Sequence, residues 1–223
     1  MAGVTPCPRG WLVQGAKLHG STFSPEMPKV YDTFLDILSE RPNFSNLVLN
    51  APVGYLDTPE KGPRTCDIQA RAIAGGRGAV IRNAPSRAVI DGEIDLPDAG
   101  IDAITATLLP RYREVALEMS PFRQRTVYEG NPELSFYQLN RDTSMVSSKK
   151  IVEGKIERRD VLESHIPNVE NALDAELEGV SEAHIFDALS LLWTARRVYG
   201  HAAKRIPVEP EWDGEGLRME IVY

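Results

Sequence analysis

The sequence predicts an α/β protein in which helices cover a mixed sheet, and three observations carry that reading. Short runs of strand-forming residues fill the first 24 positions and recur at 47–54, 126–128 and 217–222. Segments with apolar residues at helical spacing alternate with these runs and do not stand apart as a block. The chain has 223 residues, 42% hydrophobic and 26% charged, which is enough apolar surface for a core and excludes disorder as the default. A single domain over residues 1–223 is expected, with an insertion-like basic segment at 61–90.

Taken in order, residues 2–5 read as a short apolar strand, closed by the turn that Pro6, Pro8 and Gly10 impose. Residues 11–18 and 21–24 read as two further strands separated by turn residues around Gly20. Pro28 opens a predicted helix in which Val30, Tyr31, Phe34, Ile37 and Leu38 share one face, and Pro42 stops it. The apolar run 47–54 is too short for a helix and reads as a buried strand ending at Pro52. Residues 101–109 and 112–119 read as two helices broken at Pro110. A short strand over 126–128 and one or two helical turns over Pro132–Leu139 follow. Residues 158–177 have helical character divided by Pro167. The clearest helix is Glu182–Tyr199, with Ser181 as N-cap, Arg196 and Arg197 near its far end, and Gly200 as its stop. Residues 217–222 read as a last strand, after a loop rich in proline and acidic residues.

The charge balance, 25 basic against 32 acidic residues, excludes a simple polycationic nucleic-acid binder. It leaves room for local basic strips. Segment 61–90 holds Lys61, Arg64, Arg71, Arg77, Arg82 and Arg87 against one acid, Asp67. A second patch, 147–159, holds Lys149, Lys150, Lys155, Arg158 and Arg159 against Glu153 and Glu157. Arg64 and Arg71 lie two helical turns apart and can share a face near Lys61. Such guanidinium groups suit paired contacts to phosphate; the plainer reading is a solvated helix with ion pairs to an acidic body. Two cysteines, Cys7 and Cys66, cannot build a disulfide framework, and no histidine stands beside Cys66 to activate it. No apolar run approaches the roughly 20 residues that span a bilayer, and no signal-peptide pattern opens the chain, so a cytoplasmic protein without membrane contact is expected.

Six motifs then stand in a particular order. They are Asn50-Ala51-Pro52-Val53-Gly54; Gly62-Pro63-Arg64-Thr65-Cys66-Asp67 with Ala70-Arg71; and Glu129-Gly130-Asn131-Pro132-Glu133-Leu134-Ser135-Phe136. Ser148-Lys149-Lys150, Asp187-Ala188-Leu189 with Trp193-Thr194-Ala195-Arg196, and Gly216-Leu217-Arg218-Met219-Glu220-Ile221 complete the series. Together they resemble the bacterial family catalogued as domain of unknown function 429, over nearly the whole chain. That resemblance implies a ribonuclease H-like fold and metal-dependent phosphodiester hydrolysis, with Mg²⁺ or Mn²⁺ as the ion and nucleic acid or another phosphate-bearing ligand as partner. Its four acidic site positions fall here on Thr5, Asn50, Glu129 and Asp187.

Only two of those four carry a carboxylate. Two-metal hydrolysis needs several carboxylates to hold two hard cations about 3.5–4 Å apart, and the hydroxyl of Thr5 and amide of Asn50 bring no charge. Glu133 compensates in part if the turn after Glu129 folds back. The expected catalytic set is therefore Glu129, Asp187 and Glu133, with Glu129 and Asp187 holding a weakly bound metal. Arg64, Arg71 and Lys149 are the expected substrate contacts. Each residue also has a plainer reading: Asp187 as a solvated helix acid, Glu129 as a turn carboxylate accepting backbone N–H bonds, His184 as a satisfied helix residue and not a base. Two functions are expected to compete: an attenuated or inactive nuclease, and a non-catalytic protein whose degenerate cleft holds a partner or an anion.

Overall fold

The structure, a computed structural model, describes residues 1–19, 22–95 and 99–223. Strand β1 (Ala2–Cys7) lies mid-sheet. It pairs antiparallel with β2 (Gly10–His19), whose far edge carries β3 (Thr22–Pro25) and β4 (Lys29–Tyr31), both antiparallel. On its other side β1 runs parallel to β5 (Leu47–Leu49), and β5 runs parallel to β6 (Val127–Glu129). The strand order is β3-β2-β1-β5-β6, with β4 continuing the β3 edge. An antiparallel meander followed by parallel strands on the far side of the first, covered by helices, is the ribonuclease H-like arrangement.

The helices are α1 (Phe34–Ser39), α2 (Thr65–Ala74), α3 (Arg87–Ile90), α4 (Ala103–Glu118), α5 (Pro132–Leu139), α6 (Val152–His165), α7 (Glu170–Leu173) and α8 (Glu182–Tyr199). Strand alternation sorts them between the two sheet faces. Val4, Leu47 and Leu49 pack on one face with Phe34 and Ile37 of α1 and Leu109, Tyr112 and Val115 of α4. Val48 and Leu12 pack on the other with α8, α5 and α6. Helix α8 crosses β1 at backbone distance. A Cβ on Gly3 would stand 2.1 Å from the Ala188 carbonyl oxygen and 2.2 Å from the Leu192 nitrogen, so only glycine admits this crossing.

Several elements differ from the sequence reading, each for a physical reason. The helix expected from Pro28 starts only at Phe34. Lys29–Tyr31 is drawn into the sheet by pairing with Trp11–Val13, and Thr33 and Asp36 then form a reciprocal cap at the helix start. The break expected at Pro110 does not occur. Asp102 caps α4, and the packing of Leu109, Tyr112 and Val115 offsets the backbone bond that proline cannot make. The helical stretch 158–177 is two helices, since α6 starts at Val152 and ends ahead of Pro167, before α7. The acidic, proline-rich loop contains β7 (Arg205–Trp212), paired antiparallel with β8 (Arg218–Val222). Pro207 and Pro210 fall in the irregular stretch between Ile206 and Glu211, where fewer N–H donors are needed. The turn expected around Gly20 lies outside the described residues. Helix α8 has the bounds its periodicity predicts.

Segment 61–90 is woven into the core. Cys66, Ala70 and Ala74 of α2 pack with Leu134 of α5 and with Ile206, Met219 and Ile221 of the β7–β8 hairpin. Cys7 and Cys66 are both buried, unlinked thiols. Trp11 is fully buried in the core, with its indole N–H donated to Glu114 at 2.8 Å. Among the described residues no helix is long and apolar enough to cross a membrane.

Candidate functional site

Because β1, β5 and β6 are parallel, their carboxyl ends leave the sheet along one edge, where open α/β sheets place ligands. A cavity of about 720 Å³ opens there. Thr5, Asn50 and Glu129 rise from the three strand ends, Glu133 from the first turn of α5 and Asp187 from α8, and all five line it. Helix α4 and segment 77–84 close one side, and residues 148–155 with the start of α8 close the other.

The strand-end polar groups are already engaged. Asn50 donates its amide to the Thr5 hydroxyl at 3.0 Å. Glu129, 6% exposed, accepts two bonds from Arg64, at 2.8 and 2.5 Å, and a third from the Val53 amide at 2.9 Å. Arg64 sits at the N-cap of α2, only 2% exposed, and turns inward. It donates also to both Asp67 oxygens, at 3.0 and 2.7 Å, and to the Gly54 carbonyl at 2.8 Å. Burial opposes the charge on Arg64, but Asp67 and Glu129 outweigh it and hold the guanidinium well above its usual pKa. Burial pushes the Glu129 carboxyl up, against the pull of Arg64. The 51–55 turn over this cluster is tied down by Tyr55, whose hydroxyl donates to the Pro52 carbonyl at 3.0 Å. Tyr55→Phe is expected to cost about 1 kcal/mol in urea unfolding, with the core otherwise intact.

On the other side, Lys149 places its ammonium 2.5 Å from both oxygens of Asp187. The loop that presents it is pinned to α6. Glu157 accepts from the Val146 and Ser147 amides at 2.7 and 3.0 Å, and Arg158 donates to the Ser147 carbonyl at 2.9 Å. Gly154 lets the helix meet the loop, since a Cβ there would stand 2.0 Å from the Ser148 oxygen. Burial raises the Asp187 carboxyl in spite of Lys149. Glu133 is held by two guanidinium groups, Arg77 at 3.2–3.3 Å and the fully buried Arg158 at 3.3–3.4 Å. His184 is a capping residue: the Ser181 amide donates to its Nδ1 at 3.0 Å. Burial lowers its pKa, against Asp187 and helped by Lys149.

The family model for Protein of unknown function (DUF429) matches residues 3–212. The chain belongs to the DUF429 family. No curated protein and no solved structure matches it.

In this DUF429 protein the divalent ions that the resemblance implies find a donor set already satisfied. Every oxygen of Glu129, Glu133 and Asp187 accepts from a lysine or arginine, and Thr5 and Asn50 bond to each other. An ion would have to displace a guanidinium or ammonium to reach a carboxylate, so the residues do not fit a two-metal cluster. Among the described residues no group of three or more His, Cys, Asp and Glu side chains is placed to hold one.

The expected phosphate contacts separate. Arg64 lines the cavity but is consumed by Asp67 and Glu129, whereas Arg71 bonds Asn83 and does not line it. The two share no working face with Lys61, which pairs with Asp57 on the surface. Lys149 does line the cavity. Sequence reasoning missed the roles of Arg77, Arg82 and Arg158. An arginine in a helix with an apolar residue one turn on, such as Arg158 ahead of Leu162, was the available signal. Burial pushes the Cys66 thiol upward, as suits an inert core residue.

Arg82 pairs at 2.7 Å with Asp102, the N-cap of α4, which also accepts from the Thr105 hydroxyl and amide at 2.7 and 3.1 Å. Burial resists ionisation of Asp102, but Thr105 and Arg82 prevail and bring its pKa down to about 2. The pKa is lower folded than unfolded, so the cap's contribution is complete above about pH 4 and is lost as pH falls toward 2. The protection factors of the Ile104 and Thr105 amides, which the cap holds, are expected to fall over that window.

Proposed function

We propose that this DUF429 protein uses the cleft of a ribonuclease H-like fold to bind a phosphate-bearing anion, with metal-dependent phosphodiester hydrolysis attenuated or lost. The observation that carries the reading is that each of the three acids expected to act in the cleft is neutralised by a built-in cation: Glu129 by Arg64, Glu133 by Arg77 and Arg158, Asp187 by Lys149. Six lysine and arginine side chains line the cavity against five acids, a positive balance in a chain whose total is −7. Lys150 lines it without a carboxylate partner among the described residues. Thr5 and Asn50, where the family resemblance gives acids, support the same reading.

Two measurements on the full chain test it. Calorimetric titration with inorganic phosphate is expected to show binding that weakens at least about fivefold in Lys150→Ala. Nuclease assays with Mn²⁺ on single-stranded DNA, RNA and hybrid are expected to give equal backgrounds for wild type and Asp187→Ala. Turnover that requires both Mn²⁺ and Asp187 would replace the binding reading with that of an active nuclease.

A further inference from the structure

The cavity is too large for phosphate alone. Its volume of about 720 Å³ lies in the range of sites that enclose whole small organic molecules, roughly 300–1,000 Å³. Its two sides also differ in chemistry. Helices α4 and α8 pack on opposite faces of the sheet, so what each contributes lies across the cleft from the other. The α8 side carries Lys149, Lys150 and Lys155, and Lys155 pairs with Glu182 at 2.8 Å. The α4 side carries Ile104 and Leu108, one turn apart on the same helix face, and Val80 of segment 77–84 adds a third apolar side chain to the lining. Ile104 is 49% exposed and Val80 44%, an open apolar surface inside a cleft. Single exposed apolar residues need no explanation, but a cluster facing a cavity that has ammonium groups on its other wall suits an occupant with two ends.

We propose that the occupant is a phosphate monoester of an apolar or aromatic group, its phosphate on the lysine wall and its organic part against Val80, Ile104 and Leu108. The inference rests on the anion-binding reading above and adds the second half of the ligand. Lysine ammoniums are compact point charges that suit a dianionic phosphoryl group without imposing the planar, paired geometry of a carboxylate–guanidinium contact. Burying the organic group on the α4 wall supplies the hydrophobic gain that a bare anion lacks.

The test compares inorganic phosphate, phenyl phosphate, adenosine 5′-monophosphate and hexyl phosphate by calorimetry on the full chain. At least one monoester is expected to bind about tenfold or more tightly than inorganic phosphate. In Ile104→Ser, and in Val80→Ser as a second variant should the first fold poorly, that ratio is expected to fall toward one. A preference for the nucleotide assigns a planar heterocycle to the apolar wall, and a preference for hexyl phosphate assigns an alkyl chain; both support the proposal. Equal affinities for all four probes would overturn the two-ended ligand and leave the anion cleft standing. A single-stranded oligonucleotide that outcompetes every monoester would overturn it in favour of a polymer. If none of the probes binds, inorganic phosphate included, both readings fall.

Discussion

Arg64→Met is expected to destabilise the protein by about 3–5 kcal/mol, because it strands Glu129 and Asp67 in the interior without a counter-charge. For a chain of this size that corresponds to a melting temperature lower by roughly 6–20 °C. Guanidinium and carboxylates are all within 6% exposure, so water cannot replace the lost donor at Glu129 as it would at a surface pair. Adding Glu129→Gln to Arg64→Met is expected to recover part of the loss, since one of the two carboxylates then carries no charge. Arg71→Met, seven residues along and bonded among the described residues only to Asn83, is expected to cost less than about 1 kcal/mol. Denaturant unfolding of the three variants beside the wild type checks the set. Equal losses for Arg64→Met and Arg71→Met would show that the buried cluster does not organise this end of the molecule.

The second large effect concerns divalent ions. In Thr5→Asp/Asn50→Asp two carboxylates replace a hydroxyl and an amide now 3.0 Å apart, next to Glu129. Without metal their mutual repulsion is expected to cost on the order of 2–4 kcal/mol. Adding Lys149→Met removes the ammonium from Asp187 and should produce a site that Mg²⁺ or Mn²⁺ stabilises. An ion present at a hundred times its Kd adds about 2.7 kcal/mol. Millimolar Mn²⁺ is thus expected to raise the melting temperature of the triple variant by several degrees while the wild type moves by less than about one degree. A wild-type shift as large as the variant's would mean that Lys149 and the arginines yield their carboxylates readily, and the cleft would have to be treated as metal-competent.

How far the sequence reveals this architecture depends on separation along the chain. Helix α8 is legible because its apolar positions, cap and stop all lie within 20 residues. The parallel core strands are legible as short apolar runs. Strand β4 is hidden because Val30 and Tyr31 also fit a helical face, and only their pairing with β2 decides between the two. Strand β7 is hidden because Pro207 and Pro210 imitate a loop. At the cleft, motif order points to carboxylates that line one cavity but not to what they touch. Arg64 and Glu129 stand 65 positions apart, and Lys149 and Asp187 stand 38 apart, so no local pattern relates them. The apolar wall has the same origin. Ile104 and Leu108, four residues apart, share a face of the helix expected over 101–109, and only the fold shows that this face meets the cavity.

The β7–β8 hairpin braces two of the elements that build the cleft. Val222 bridges to Gly130, directly after Glu129, and Ile206, Met219 and Ile221 cover the apolar side of α2, the helix that Arg64 caps. A nascent chain stalled on the ribosome short of residue 205 would leave Cys66 and Ala70 bare and the turn after Glu129 unsupported. Removing the hairpin is therefore expected to loosen the ground on which Arg64 meets Glu129 and to leave an apolar surface that invites aggregation.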